Sequence, residues 1–586
     1  MRILRAIAAA AILLLPAFAQ GAATRPQTQA EWHTAMARIA LPKKGCFSAA
    51  YPVLAWTEQA CAKPVSTSYG PTVGHGTDFT AQVTGTLSSA TGSFDGVNGV
   101  TSETGFNSVP NTYSLQLNSS YFKTTAACAG ASMPANCQGW EQFIFTNSGG
   151  LLIEYWLIHY GNACPPGWTS SPPSCFKNSM TMPVPVQPLA NLPNITVTGA
   201  VDAAGNTDTA TLWTGANMYV ATGNDDVVDL SQAWNVAEYN VFGDGGGTSA
   251  DFNPGSTITV RTTVHSGTML APMCQLQGYS DELNNLVLVD TPAVPVAPAP
   301  AIVFDETNIP GALPGCATAS GIGDTHLTTF NGLLYDFQAS GDFTLVDAGP
   351  HFTVQTRQAS GAPIWPNAAV NKDVAARIDG TSVALCLEPT RLEIDGAPRD
   401  LADGKTLALA GGVSVARTGD TYLVTGKNGD SLRAQLNLGW INVSVGLGSW
   451  PRPGVRGLLA NANGNVNQLA ARDGTVLTEP VAFADLYHRY GDSWRVPAEA
   501  SLLCKDRKVE RGNPTTVFYA RNLDPKLAAH ARAICAETGV RVPALLDACT
   551  LDVAVLGTPQ AAKVYVGMKP PVAAGMPPPR NGLPGR

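Results

Sequence analysis

Short, largely apolar runs alternate with clusters of turn-forming residues along most of the chain, and this pattern predicts β-strands and not long helices. Turn-forming residues separate the runs of the first half, which occupy residues 113–117, 140–145, 151–158, 195–197 and 257–262. Strands of this length at this spacing are typical of a β-sandwich. The β pattern continues to about Trp494, and helical spacing follows at Pro525–Ala536 and Pro543–Val555. The pattern therefore predicts a mainly β fold.

Composition divides the chain into two halves. Residues 291–301, TPAVPVAPAPA, form a Pro/Ala spacer, and proline both stiffens such a segment and prevents it from pairing inside a sheet. The expected order is a signal peptide at 1–19, a disulfide-stapled β-sandwich at 45–290, a linker at 291–312, a β domain at 313–499, a short helical Cys-containing extension at 500–566 and a disordered tail at 567–586.

The N-terminus indicates the compartment. Arg2 and Arg5 precede the apolar run Ile7–Leu15, and the small-residue motif Ala17-Phe18-Ala19 follows. This order is typical of a secretory signal peptide. No stretch reaches the roughly 18 apolar residues of a membrane helix. We therefore expect a secreted, extracellular protein without a membrane span.

Twelve cysteines in an exported chain predict disulfide bonds. Short spacing favours four pairs, Cys46–Cys61, Cys128–Cys137, Cys164–Cys175 and Cys535–Cys549. The spacing leaves open the pairing of Cys274, Cys316, Cys386 and Cys504.

Charge and hydrophobicity exclude two classes of protein. The net charge is -8 and no basic stripe is present, which argues against a nucleic-acid partner because phosphates need clustered Lys and Arg. Hydrophobic residues make up 45% of the chain, enough to form real cores, so global disorder is excluded.

The segment Gly323–Phe337, GDTHLTTFNGLLYDF, resembles the opening of a von Willebrand factor type D domain. The helical stretch with Cys535 and Cys549 resembles the cysteine-rich extension that often follows such domains. This resemblance implies a contact or assembly surface for an extracellular protein or glycan. Later blocks follow in the order of the family at residues 341–345, 352–358, 392–396, 457–465 and 483–494.

The same resemblance implies a calcium site, but the chain departs from the family. Leu459 and its neighbours replace the cysteines of the family's glycine loop, and Thr325 replaces the proline of its self-cleaving Asp-Pro bond. Calcium prefers carboxylates to amides, so we expect at most weak calcium binding and no other cofactor. We expect His326 to be a structural hydrogen-bonding residue. The positions that match the calcium ligands are Asn331, Asn461, Asn463 and Asn465.

In the first half, Trp140–Phe145, Glu154-Tyr155-Trp156 and Ala237–Phe242 resemble, in their order, the strands of glutamic peptidases of the eqolisin kind. Those enzymes are acid-active β-sandwiches in which a glutamine and a glutamate share a water. Gln142 and Glu238 fall at the corresponding places. The resemblance implies that Glu238 is the general base and that Gln142 holds the water and stabilises the oxyanion, with Glu154 and Trp156 lining the cleft.

Other interpretations remain open at this point. Gln138 and Glu141 compete with Gln142 as candidate residues, and ordinary surface Gln and Glu on a secreted sandwich also fit the pattern. We therefore consider two hypotheses for the function of the protein. The first is a secreted interaction or adhesion-type protein with a von Willebrand D-like module, and the alternative is an acid-acting glutamic endopeptidase with a protein substrate. Four aromatic residues would form either core or a carbohydrate-stacking face, namely Trp140, Tyr155, Trp156 and Trp234.

Overall fold

The computed structural model describes residues 28–63, 78–123, 126–161, 163–288, 295, 298–308, 315–361, 365–461, 468–477, 480–505, 511–566, 568 and 571–573. Within these ranges the chain is mainly β, which confirms the predicted fold class. The predicted signal peptide lies outside the described residues. None of the helices in these ranges combines the length and the apolar character that a membrane crossing requires.

The first half contains the helix α1 (Gln29–Met36) and the strands β1 to β20. In chain order the strands are β1 (Cys46–Ala50), β2 (Thr57–Gln59), β3 (Phe79–Gln82), β4 (Ser89–Asn98), β5 (Glu103–Thr104), β6 (Tyr113–Ser119), β7 (Gln138–Thr146), β8 (Gly150–Ile158), β9 (Thr169–Ser171), β10 (Ser174–Asn178), β11 (Ile195–Asp202), β12 (Thr207–Thr214), β13 (Asn217–Gly223), β14 (Val236–Gly243), β15 (Ser249–Phe252), β16 (Thr257–His265), β17 (Met273–Leu276), β18 (Leu283–Asn284), β19 (Val287–Leu288) and β20 (Ala301–Thr307).

The second half contains further strands, a π-helical turn at Asp485–Gly491 and the helices α2 (Pro525–Thr538) and α3 (Pro543–Leu556). Its strands are β21 (Ala317–Ile322), β22 (His326–Thr328), β23 (Leu333–Asp336), β24 (Gly341–Asp347), β25 (Phe352–Gly361), β26 (Trp365–Ile378), β27 (Thr381–Cys386), β28 (Arg391–Ile394), β29 (Ala397–Arg399), β30 (Thr406–Ala408), β31 (Ser414–Thr418), β32 (Thr421–Thr425), β33 (Ser431–Leu436), β34 (Ile441–Leu447), β35 (Ser449–Trp450), β36 (Arg456–Gly457), β37 (Ala460–Asn461) and β38 (Val572–Ala573).

Two large sheets of the first half enclose one core. Their strand orders are β19-β20-β16-β4-β11-β12-β13-β1-β2 and β35-β17-β3-β14-β6-β7-β8-β10-β9. Phe143 and Tyr239 of the second sheet share this core with Val197 of the first. Glycine lets the sheets approach closely, because a Cβ at Gly199 would lie 2.3 Å from the Phe143 ring. This half therefore has a sandwich-like arrangement.

Part of the predicted linker is in fact a strand of this arrangement. Strand β20 pairs with β16 over seven residues, Thr257–Thr263, and Ile302, Phe304 and Glu306 are buried. The proline-rich run ends at Pro300, and the sequence AIVFDET that follows has no proline and can form a sheet strand. The linker prediction for 291–312 is therefore wrong for Ala301–Thr307.

The second half has two sheets around a separate core, in the orders β30-β31-β32-β33-β34-β21-β22-β23-β38 and β29-β28-β27-β26-β25-β24-β36-β37. Both predicted helices are confirmed, and α2 begins at the capping side chain of Asp524 and ends before Gly539, whose φ is 112°.

Two predictions for the second half need correction. The turn Asp485–Gly491 is helical because Leu486, Tyr487 and Tyr490 are buried at helical spacing. Strand β38, inside the predicted tail, pairs with β23.

Six disulfides confirm the disulfide-bonded state. Four of them join the pairs that the spacing favours, Cys46–Cys61, Cys128–Cys137, Cys164–Cys175 and Cys535–Cys549. The other two are Cys274–Cys316 and Cys386–Cys504. Cys274–Cys316 joins the two halves next to the point where β17 pairs with β35.

Candidate active site

A row of polar side chains crosses four neighbouring strands of the second sheet. In register across β14, β6, β7 and β8 lie Glu238, Asn118, Gln142 and Glu154. Residues directly opposite one another share a face of the sheet. The alternate residues, including Leu117, Phe143 and Tyr239, belong to the sandwich core. The polar row is therefore on the face that points away from the other sheet.

Asn118 lies between the two residues that the sequence predicts as a dyad. Its Nδ2 donates to Glu238 Oε2 at 2.9 Å, and its Oδ1 accepts from Gln142 Nε2 at 3.1 Å. This differs from the expected arrangement, in which Gln142 and Glu238 share one water. The physical reason is the strand order, since β6 separates β7 from β14.

The amide of Gln142 has its hydrogen-bonding groups occupied by the protein. Its Nε2 also donates to Gln116 Oε1 at 3.0 Å, and its Oε1 accepts from the indole N–H of Trp156 at 2.9 Å. The same indole N–H is 2.9 Å from Glu154 Oε1. Both amide hydrogens of Gln142 are therefore used, and the expected donation to an oxyanion would require a partner to leave.

Glu238 is fully buried and lies behind this network. Its Oε1 accepts the backbone N–H of Tyr279 at 2.9 Å. Burial, and next the nearby Asp78 carboxyl, raise the pKa of Glu238 to about 8, against the opposing effect of its hydrogen bonds. A carboxyl with this pKa is mainly protonated in acid, so it does not suit the role of general base that the sequence predicts.

A cleft of about 180 Å³ opens beside the row, and the carboxyls that line it are Glu154, Glu282 and Asp244. Burial and then the Glu282 carboxyl raise the pKa of Glu154 to about 7. Burial also raises the pKa of Glu282, although its contact with the Ser280 hydroxyl acts in the opposite direction. A carboxyl whose ionisation is opposed both by burial and by a neighbouring carboxyl tends to keep its proton.

The competing candidates have different surroundings. Glu141 is on the core face of β7, and neither of its carboxylate oxygens has a hydrogen-bond partner. Burial, followed by Asp208 and Asp225, raises the pKa of Glu141 well above its usual value. Glu141 is therefore a buried core residue whose surroundings favour the neutral form of its carboxyl. Gln138 is half-buried at the start of β7.

The predicted aromatic face consists of packed side chains. Trp140 and Trp156 have ring centroids 6.1 Å apart, and Trp156 also packs on Phe176. Tyr155 and Trp234 belong to the sandwich core. All four candidate aromatic residues are buried, so they do not form an exposed stacking face.

Two of the predicted calcium ligands can be placed in the second half. Asn331 lies in the turn between β22 and β23, and Asn461 ends β37. The two segments are neighbours, because the N–H of Phe330 donates to the Leu459 carbonyl at 3.0 Å. Asn463 and Asn465 lie outside the described residues.

Sequence reasoning missed Gln116, Asn118 and Glu282. A signal for the first two exists in β6, where the apolar residues Tyr113, Leu115 and Leu117 alternate with polar residues although the whole strand is buried. Glu282 lies in a loop that only the fold brings to the cleft.

Comparison with known proteins found no protein-family model and no curated protein that matches this sequence.

Proposed function

We propose that the first half is an acid-acting hydrolase of the glutamic-peptidase type. The observation that carries this proposal is the pair of half-buried carboxyls, Glu154 and Glu282, that line one cleft beside the amides of Gln116 and Gln142. Perturbed carboxyl pairs in clefts are typical of sites for acid–base chemistry. The resemblance to glutamic peptidases assigns the reacting carboxyl to Glu238, whereas this proposal assigns it to the residues that line the cleft.

The two carboxyls divide the acid and base roles. Unlike Glu238, Glu282 lines the cleft, and the Ser280 hydroxyl opposes the rise that burial causes in the pKa of Glu282. We therefore assign Glu282 as the base that takes a proton from water as the water oxygen attacks the peptide carbonyl. Glu154, with its pKa of about 7, is protonated in acid and gives its proton to the leaving amine as the C–N bond breaks. The next turnover begins after a proton passes from Glu282 back to Glu154.

The size of the cleft fits a peptide better than a large rigid ligand. At about 180 Å³ it is smaller than the roughly 300–1,000 Å³ of sites for drug-sized molecules. It therefore has room for one side chain. Ser148, Asp244, Gly245 and Gly246 form part of the same lining and offer contacts for the rest of the substrate.

Casein digestion from pH 2 to pH 8, with and without pepstatin, tests the proposal. We expect pepstatin-resistant activity in acid that falls by at least about 100-fold in Glu154→Gln and in Glu282→Gln, the usual scale for loss of an acid or base. Glu58→Gln is the control, because Glu58 is exposed on β2 of the other sheet. Absence of acid activity in the wild-type protein, or full activity in both cleft variants, would rule the proposal out.

We propose the interaction function for the second half, as a module that contacts an extracellular protein or glycan. Its resemblance to a von Willebrand D domain supports this, and so does its attachment to the first half through Cys274–Cys316 and the β17–β35 pair. Binding of the Glu154→Gln/Glu282→Gln double variant to immobilised gelatin or glycans, measured by surface plasmon resonance, separates contact from turnover. A complete lack of binding counts against this role.

A further inference from the structure

The turn that opens the second half brings three buried side chains together. Asp324 lies between β21 and β22, His326 begins β22, and Asp552 lies on α3. One ligand atom from each residue can be chosen so that all lie within 4.8 Å of one another. Each of the three residues is at most 1% exposed.

Several polar atoms in this cluster have no hydrogen bond. Nε2 of His326 is 2.7 Å from Asp324 Oδ1 and 3.5 Å from Asp552 Oδ1, but neither contact has hydrogen-bond geometry. Both carboxylate oxygens of Asp324 also lack a hydrogen-bond partner. Burying a carboxylate without partners costs several kcal/mol in the absence of a counter-charge. The cluster therefore requires a positive charge.

The other side of the imidazole is oriented by a further carboxylate. Nδ1 of His326 lies 2.6 Å from Asp336 Oδ1. When Nδ1–H donates to Asp336, the lone pair of Nε2 remains available. A carboxylate that orients a histidine in this way is typical of metal sites.

Asp552 is held in place by two donors. The backbone N–H of Asp324 donates to Asp552 Oδ1 at 2.7 Å, and the Tyr565 hydroxyl donates to Oδ2. Gly323 makes room for this carboxylate, because a Cβ there would lie 1.7 Å from Asp552 Oδ2. The position of Asp552 therefore depends on the opening turn of the β module.

We propose that Asp324, His326 and Asp552 bind a divalent transition-metal ion of the zinc class, with Asp336 as a positioning residue. Bonds of about 2.0–2.2 Å in a tetrahedral site place ligand atoms roughly 3.3–3.6 Å apart. The 3.5 Å contact between His326 and Asp552 lies in this range, and the 2.7 Å contact between His326 and Asp324 would lengthen when the ion binds. The imidazole ligand favours zinc over calcium, which takes oxygen ligands.

Charge and access support the same site. Among the described residues, the ion pairs of Asp324, Asp336 and Asp552 involve His326 alone, so a divalent ion would neutralise the excess negative charge. His326 and Asp336 line a cleft of about 500 Å³, which gives a route of entry. The bound ion would tie α3 to the β module, independently of any peptidase activity in the first half.

Metal titration of the full-length protein tests the site. The protein is stripped with a chelator, dialysed and titrated with Zn²⁺, with Ca²⁺ as the comparison. We expect one Zn²⁺ per chain by elemental analysis and a Tm that rises with Zn²⁺ and not with Ca²⁺. Asp336→Asn should weaken Zn²⁺ binding by about 10–100-fold, the usual effect of losing an orienting partner, and Asp324→Asn and Asp552→Asn should weaken it more. Asp547→Asn, at an exposed position of α3, should leave it unchanged.

A spectroscopic measurement on the wild-type protein covers the case in which the ligand variants do not fold. Co²⁺ bound at the site should give the visible absorption of a four-coordinate ion, and excess Zn²⁺ should remove this absorption. Lack of both Zn²⁺ retention and a Tm change in the wild-type protein would overturn the proposal and leave a protonated histidine as the counter-charge. Undiminished Zn²⁺ binding by a folded Asp324→Asn/Asp552→Asn double variant would overturn it equally.

Discussion

Glu306 offers a test of how buried carboxyls set the pH range of the first half. It lies on β20, is buried, and accepts a hydrogen bond from Asn240 Nδ2 at 3.1 Å. Burial, and then the Asp78 carboxyl, raise the pKa of Glu306 to about 8. Replacing it with glutamine keeps the shape and an acceptor oxygen but removes the ionisable group.

The sign and size of the effect follow from linkage. The pKa of Glu306 is raised from 4.5 to about 8, so its contribution to the free energy of unfolding is complete below pH 4.5 and is lost as the pH rises through 8. At 1.36 kcal/mol per pKa unit, the upper limit of this loss is about 5 kcal/mol. Relaxation and water entry reduce such values, and we expect a loss of about 1–3 kcal/mol in the wild-type protein.

Thermal unfolding of the wild-type protein and Glu306→Gln at pH 4.5 and pH 9 measures this loss. A domain of this size changes its Tm by about 2–4 °C per kcal/mol. The variant should therefore gain about 2–12 °C relative to the wild type on going from pH 4.5 to pH 9. Glu58→Gln, at an exposed position, should show no such gain. An equal Tm difference between Glu306→Gln and wild type at both pH values would refute the reasoning.

Four further outcomes follow from the structure and the sequence. Asn118→Leu should lower the free energy of unfolding by about 2–4 kcal/mol in urea denaturation, because two buried polar partners lose their hydrogen bonds; an unchanged midpoint would count against the network. Gly199→Ala should lower it by about 1–3 kcal/mol, since the methyl group would meet the Phe143 ring, and wild-type stability would contradict that packing. Thiol titration of the denatured, unreduced protein should find no free thiols among the twelve cysteines, and ten or more would disprove the disulfide-bonded state. Calorimetric titration with Ca²⁺ should show no submicromolar site at Asn461–Asn465, because the matching ligands are neutral amides; a submicromolar dissociation constant would show that carboxylates complete the site.

Local sequence patterns were sufficient to predict the helices, strands and disulfides that depend on residues close together in the chain. The capping residue Asp524 and the terminal Gly539 delimit α2, and short apolar runs between turn-forming residues predict strands such as β7 and β8. Short loops likewise indicate four of the disulfides, because neighbours in sequence are close in space. Strand β20 was missed because the prolines before it dominate the composition of its segment.

The candidate site depends on strand order, which the sequence does not contain. Gln142 and Glu238 were placed on one face by alternation, and the structure agrees. Nothing in the sequence says that β6 lies between their strands or that the loop with Glu282 covers this face. The ionisation of these carboxyls follows from burial, which is a property of the assembled sheet.

The bridge Cys274–Cys316 has a mechanical consequence. It joins cysteines that are 42 residues apart, a segment that would span about 140–150 Å if fully extended. When the chain is pulled from its ends, force passes from one half to the other through the sulfur–sulfur bond and bypasses this segment. The segment can therefore add to the end-to-end length of the stretched protein only after the Cys274–Cys316 bond is reduced.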